Sequence, residues 1–501
     1  MKFSGTILSI LLAALLTGCY KDKGNYDYKP INRLAVSDPA NPVNISITLG
    51  DSLKITPVIE QSASQHEDSL SYEWMVFDNS PASSYTMPRT VISTDRNLAV
   101  EIKDPPFSLG QNYRLTYRVT DRNTGVSSAI YYNLTIINKY ATGWILLESK
   151  PAGGDLSMIL PDGSVERGIY TSLNPSYPLE NPVKVELSPF QVTDDVSVTS
   201  RKIYLLGAGS GMELDYQTML RKFDYAYLFY GAPAVIKPLR MTWMSTSANA
   251  NSLFASQGIV INDGKVHANL VGGFPGSKKW GAALSTPEGH YNYEATPFVA
   301  GGTTYSAVIY DKVKKRFYQV GNTALTNLPI AASTLFDMND VGLDMLYLDS
   351  ANITREYNAV MKDASNVPWL LRFKLAIANN DPPNVTLQKT QMNAPGILNM
   401  TGMASSTITP HIYYATGNTM YRYETTSNTT VQQYTFPAGE TVTQMKFLRQ
   451  PEGASLLAAV TWDGTQGRLY FFEVSSVGNF SEYRNRYEGF GRIVDIGFKV
   501  P

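Results

Sequence analysis

Residues 258–268 read GIVINDGKVHA. Gly258 to Ile261 is an apolar run rich in β-branched residues, Asn262-Asp263-Gly264 interrupts it, and Lys265 to Ala268 resumes it. An Asp-Gly pair supplies the positive φ that a tight hairpin demands, so this stretch predicts strand, turn, strand. The plan returns along the chain. Ala307-Val-Ile-Tyr310-Asp311 is followed by Arg316 to Val320, and Asn358 to Met361 by Trp369 to Leu375. Ile412 to Ala415 precedes Asn418 to Tyr423, and Leu456 to Thr461 precedes Asp463-Gly464 and Arg468 to Val474. Upstream, Trp144 to Leu147 leads to Leu156 to Gly163, and Ile203 to Leu206 runs into glycines.

A unit of apolar strand, polar turn and aromatic strand, repeated every 40 to 50 residues or so over roughly 360, predicts a β-propeller of seven or eight blades. Ile493 to Gly497 is expected to complete a blade begun by Gly143 to Leu147. Pairing the two ends in this way removes free sheet edges. A large double sandwich is the alternative architecture. Met212 to Phe229 is the one stretch with helical texture, and it reads as an insertion between blades.

Upstream of residue 139 the pitch is shorter. Val43 to Leu49, Leu53 to Ile59, Tyr72 to Phe77, Asn97 to Ile102, Tyr113 to Thr120 and Ser128 to Ile137 each fit a strand. Tyr113, Leu115, Tyr117 and Val119 alternate with Arg114, Thr116, Arg118 and Thr120, as a sheet with one wet face requires. Asp121 to Gly125 has hairpin-turn chemistry. About a hundred residues of such strands is the size of an immunoglobulin-like sandwich.

Tyr72-Glu-Trp74-Met-Val-Phe77-Asp78 resembles the Tyr-x-Trp strand of PKD-type sandwiches, and Tyr117 to Asp121 with Gly125 resembles their Val-Thr-Asp-x-x-Gly hairpin. Trp74 is then a core residue. At the other extreme, Lys2 and the apolar run Ile7 to Leu16 precede Leu16-Thr17-Gly18-Cys19. That run is too short to span a bilayer and fits the core of an export signal. Leu-Thr-Gly-Cys resembles the lipobox of bacterial lipoproteins, which implies cleavage before Cys19 and lipid on its sulfur. Tyr20 to Pro30 is polar and aperiodic, so it reads as a tether. The expected layout is a signal peptide at 1–18, lipidated cysteine and tether at 19–33, a sandwich at 34–138 and a propeller at 139–501.

Composition agrees with an exported all-β protein: 37 Gly, 32 Tyr and a single Cys. With one cysteine no disulfide can form within the chain. Net charge is −1, from 42 basic and 43 acidic residues, so no global field favours nucleic acid. The densest basic run, Lys312 to Arg316, lies in a turn and reads as a solvated one.

Catalytic and metal motifs are weak. His66, His267, His290 and His411 are far apart, and His66-Glu67 lacks the second histidine of a zinc helix because Leu70 stands there. Asp337 to Gly342 opens like a calcium loop, but Val341 and Leu348 occupy ligand positions. Gly207-Ala-Gly209-Ser-Gly211 opens no βαβ unit, and no Gly-x-Ser-x-Gly elbow exists. No cofactor or metal is expected. Sugar binding asks for less: aromatic rings against the apolar face of a sugar, with polar groups beside them. Trp280, His290, Tyr291 and Tyr293 form the best local set, with Trp243 and Trp369 secondary.

As a whole the chain resembles PKD-like family lipoproteins. The resemblance implies a setting beside a TonB-dependent porin and a SusD-like lipoprotein in nutrient uptake, on the outer membrane and facing the cell exterior, and it supplies no catalytic residue. The expectation is a surface-anchored binder of a glycan, glycoprotein or other polymeric nutrient. The alternatives are a propeller glycosidase or lyase, and a purely structural subunit.

Overall fold

The computed structural model describes residues 31–63, 67–78, 89–188, 201–245, 256–269, 279–301, 307–321, 323–331, 334–376, 384–448 and 455–500. Cys19, the leader before it, most of the tether and His66 lie outside the described residues. The chain divides into two compact units, one up to Asn138 and one from Lys139 onward.

The first unit is a β-sandwich. Its main sheet orders Asn44–Thr48, Ser127–Ile137, Asn112–Asp121, Leu70–Asp78 and Arg89–Ser93, and two smaller pairs complete it. Trp74 and Tyr117 sit at its centre, both without solvent exposure, with ring centroids 4.2 Å apart. The indole N–H of Trp74 is satisfied by the carbonyl of Asp95 at 3.0 Å, so the ring can be buried at no polar cost. At the hairpin after Tyr117, the Gly125 N–H donates to the Asp121 carbonyl at 2.8 Å, and Gly125 takes φ +72°.

The second unit is a β-propeller of seven four-stranded sheets among the described residues. The first strands of blades one to six are Pro182–Leu187, Pro238–Ser245, Ala295–Ala300, Asp344–Ser350, Gly402–Ser405 and Thr441–Phe447. The seventh sheet joins the two ends of the unit: Arg492–Lys499 pairs with Gly143–Lys150, followed by Gly153–Ile159 and Val165–Glu166. Each first strand approaches that of the next sheet, and Arg492–Lys499 approaches both Thr441–Phe447 and Pro182–Leu187. These seven strands therefore form a closed inner ring.

The hairpin at 258–268 is the middle of blade two. Asn262 pairs with Lys265, and Asp263 and Gly264 turn with φ +46° and +69°. Burial explains why such strands read as apolar runs: each sheet is packed on both faces by a neighbouring blade. Seven apolar clusters follow from this among the described residues, one per gap between blades. Between blades one and two lie Tyr204, Leu206 and Tyr225 against Met241, Trp243 and Trp280. At the seam, Ile145, Leu147 and Leu156 meet Val185, Ile203 and Leu205.

The expected helical insertion at Met212 to Phe229 is corrected. The stretch holds the end of the strand Ser210–Asp215, the outer strand Arg221–Asp224 and a single 3-10 turn, Tyr225–Leu228. Asp215 folds the chain back by accepting the N–H groups of Gln217 and Thr218 at 3.0 and 2.9 Å. Met212 and Leu214 are buried, and so is Glu213 between them, so the period-two signal of a half-wet strand is missing. Among the described residues no helix is long and apolar enough to cross a membrane.

Candidate ligand-binding site

The inner ring carries a cluster of charged and polar side chains. Lys184 and Glu186 come from blade one, Arg240 from blade two, Gln444 and Lys446 from blade six, and Asp495 from the closing strand. Asp495 is their hub and is 1% exposed. Its Oδ1 accepts the Gln444 amide N–H at 2.6 Å, and its Oδ2 accepts the backbone N–H of Val185 at 3.1 Å. The ammonium groups of Lys184 and Lys446 stand 3.6 and 3.9 Å from the same carboxylate. Glu186 pairs with Arg240 at 3.3 Å.

Burial pushes the Asp495 carboxyl up, but Lys184, Lys446 and the Gln444 amide outweigh it, and the group is held below the usual carboxylate range. It is thus a fixed anion and not a proton donor. Lys446 also gives an N–H to the carbonyl of Ile496 at 2.6 Å. Its side chain is 41% exposed. Three buried atoms of the cluster, Glu186 Oε1, Gln444 Oε1 and Arg240 Nε, have no hydrogen-bond partner among the described residues.

Blade four repeats the anchoring device. Asp349 accepts the backbone N–H of Ser405 on blade five at 3.1 Å and the Tyr347 hydroxyl at 3.1 Å.

The rings singled out in the sequence do not converge. Trp280 and Trp243 are 2% and 6% exposed, and both pack with Tyr204 at centroid distances of 6.1 and 5.2 Å. They fill the gap between blades one and two, so neither offers a face to a ligand. Tyr293 is buried as well. Its hydroxyl accepts from Val266 N–H and donates to the Leu284 carbonyl, both at 2.9 Å, and burial raises its pKa to about 12. Trp369 is half-buried against the core between blades three and four, with its N–H given to Asp363 at 3.1 Å.

His290 and Tyr291 remain on the surface, and Tyr291 is 56% exposed. They ride on a turn closed by the Thr286 N–H to the His290 carbonyl at 2.8 Å, which the buried Tyr293 pins to blade two. The basic turn 312–316 is occupied by ion pairs: Lys315 meets Asp344 at 2.9 Å and Lys314 meets Glu288 at 3.9 Å. Among the described residues no group of three or more potential ligands could hold a metal ion.

Sequence reasoning missed the ring cluster. Its trace is a charged residue inside an apolar strand, as in Val183-Lys184-Val185-Glu186 and Ile493-Val494-Asp495-Ile496. Nothing local says that these side chains meet.

Residues 19–180 match the PKD-like family, so a PKD-like family domain is present there. The match takes in the sandwich and runs on through Gly143–Lys150, Gly153–Ile159 and Val165–Glu166 of the closing blade. No curated protein matches the chain. The chain is similar to several solved structures. One is a quinonprotein alcohol dehydrogenase-like protein from Bacteroides thetaiotaomicron, 12% identical, with 93% of this chain and 99% of that one covered and a TM-score of 0.42. Another is described as a putative 6-phosphogluconolactonase from Bacteroides fragilis, 12% identical, covering 72% and 98%, with a TM-score of 0.42. A third is the β-propeller domain of Swd1 from Myceliophteria thermophila, 12% identical, covering 64% and 94%, with a TM-score of 0.38.

Proposed function

We propose that this protein is a binding protein whose propeller receives a polar ligand, a glycan or a unit of one, at the inner-ring cluster. The observation that carries the reading is the state of the carboxylates. Asp495 and Glu186 both stand at ion-pair distance from cations, while Gln444 Oε1, Glu186 Oε1 and Arg240 Nε lack hydrogen-bond partners among the described residues. Acid–base hydrolysis of a glycoside wants one carboxyl free to donate a proton. A hydroxyl, which both donates and accepts, suits the unpaired amide oxygen and guanidinium instead.

In the fuller form of this proposal, Cys19 bears the lipid that holds the protein at the outer membrane, facing outward. The sandwich acts as a spacer. Captured glycan, glycoprotein or other polymer passes to a TonB-dependent porin with its SusD-like lipoprotein. His290 and Tyr291, on their pinned turn, provide a second contact for a long ligand.

The test is native affinity electrophoresis of the protein from Tyr20 onward, through gels containing different polysaccharides. Retardation in one gel that is lost in Lys446→Met supports the reading, and a partial loss in Tyr291→Ala adds the outer contact. Retardation unchanged in Lys446→Met removes the ring cluster as the receptor. Unretarded migration in every gel defeats glycan capture.

A further inference from the structure

We propose that the inner-ring cluster is a receptor for a carboxylate, carried by an acidic sugar or a small hydroxy acid, that seats between Lys446, Lys184 and Arg240. This rests on the reading of the ring as a ligand site and names the chemical class of what it takes.

The charge count is the first argument. Among the described residues three cations, Lys184, Arg240 and Lys446, stand with two carboxylates, Glu186 and Asp495, an excess of one cationic group on the ring. One further carboxylate would balance the set.

Geometry is the second. Asp495 must serve two ammonium groups at once, and at 3.6 and 3.9 Å it hydrogen-bonds neither. Both its oxygens already accept tighter bonds, from Gln444 and from Val185 N–H. An ammonium carries three donors, and Lys446 gives one to the Ile496 carbonyl. Donor capacity is therefore left over on both lysines.

The third argument selects what adjoins the carboxylate. Gln444 Oε1 and Glu186 Oε1 are buried acceptors and Arg240 Nε a buried donor, all without hydrogen-bond partners among the described residues. Hydroxyls next to the carboxyl group can donate to the acceptors and accept from the donor, whereas a bare carboxylate has no proton to donate.

Lys446 should report occupancy. Burial lowers its pKa, and although Asp495 and Glu186 oppose this, Lys184 and Arg240 add to it, so the net shift is downward. A bound carboxylate favours the ammonium and reverses that shift. Between the empty and the occupied pKa, binding then takes up a proton.

The experiment is calorimetric titration of the full chain, in detergent and at a series of pH values from neutral to alkaline, with D-glucuronate, D-glucose and acetate. Each is run in two buffers of different ionisation enthalpy. Expected are glucuronate binding with proton uptake, and glucose at least about 10-fold weaker. Lys446→Met should lower glucuronate affinity about 10- to 100-fold and abolish the uptake. Arg240→Lys, which keeps the charge and removes Nε, should weaken glucuronate and spare acetate. Unchanged thermal unfolding midpoints show that both variants fold.

Acetate binding as tightly as glucuronate supports the carboxylate site and identifies simple acids as its source. Glucose binding equal to glucuronate, sensitive to Lys446→Met, overturns the carboxylate while leaving the ring as a receptor. No heat with any of the three overturns the inference, and polysaccharide retardation then decides separately whether the ring binds glycans.

Discussion

Asp495 accepts the backbone N–H of Val185 across 310 residues of sequence, at 3.1 Å. This bond crosses from the closing strand to the first strand of blade one, so it ties the seam where the ring shuts. The same carboxylate holds Gln444 of blade six and faces two lysines. One side chain thereby links three consecutive inner strands.

Asp495→Ala is therefore expected to destabilise the propeller by about 2–4 kcal/mol. Removing one member of a buried charged set leaves the others uncompensated, and the partial exposure of Lys446 holds the loss below the top of the usual range. Denaturant unfolding followed by tryptophan fluorescence measures it. A loss below about 0.5 kcal/mol would mean that the seam does not depend on this hub.

Deleting residues 492–501 tests closure more bluntly. The deletion removes the inner strand of the seventh sheet and leaves Gly143–Lys150 with an unpaired edge. Unpaired edges recruit other chains. The shortened protein should aggregate or lose its cooperative transition, whereas removing the terminal pair 500–501 should do neither. A soluble, cooperatively folding 1–491 would contradict the closure argument.

Closure was legible because its signal is local: Ile493 to Gly497 and Gly143 to Leu147 are apolar strands that lacked partners, and they pair as expected, Ile145 opposite Gly497. Trp74 was legible for a similar reason, since a tryptophan in an alternating strand points inward. The propeller's aromatics were misplaced because burial on both faces erases the difference between a ring that fills a gap and one that faces a ligand. Trp280 and Tyr291 stand in one glycine-rich segment, yet one is core and the other surface. The ring cluster was hidden for a third reason. Lys184 and Asp495 meet only because seven sheets close, and that depends on the count and stagger of blades.

Trp280→Ala and Tyr291→Ala should separate packing from contact. Trp280 shares a core with Tyr204 and Trp243, so its truncation should cost about 3–5 kcal/mol. Any binding lost with it would follow from loosening blade two. Tyr291 is exposed, and its truncation should change stability by less than about 0.5 kcal/mol. Paired thermal melts and affinity gels check this, and a Trp280→Ala protein as stable as the parent would return that ring to the list of ligand contacts.

Lys499 gives a pH dependence of definite sign. It is fully buried at the end of the closing strand, donating to the Ala141 carbonyl at 3.1 Å with its ammonium 4.1 Å from the Tyr216 ring centre. Burial lowers its pKa from 10.5 to about 7, with Arg201 adding to the shift and Asp215 opposing it. Between about pH 7 and 10.5 the unfolded chain then holds a proton that the folded chain has released. In that window stability rises with pH, and below it the contribution is flat at its least favourable value. Lys499→Met removes the dependence but leaves the Ala141 carbonyl without its donor, so the informative quantity is the difference between variant and parent as a function of pH. That difference should favour the variant most at about pH 6–7 and shift toward the parent by about 2–5 kcal/mol on going to about pH 10. Denaturant unfolding at three pH values measures it. A difference that stays constant across the window would mean that Lys499 keeps its proton in the folded protein, held by the Tyr216 ring and the Ala141 carbonyl against the cost of burial.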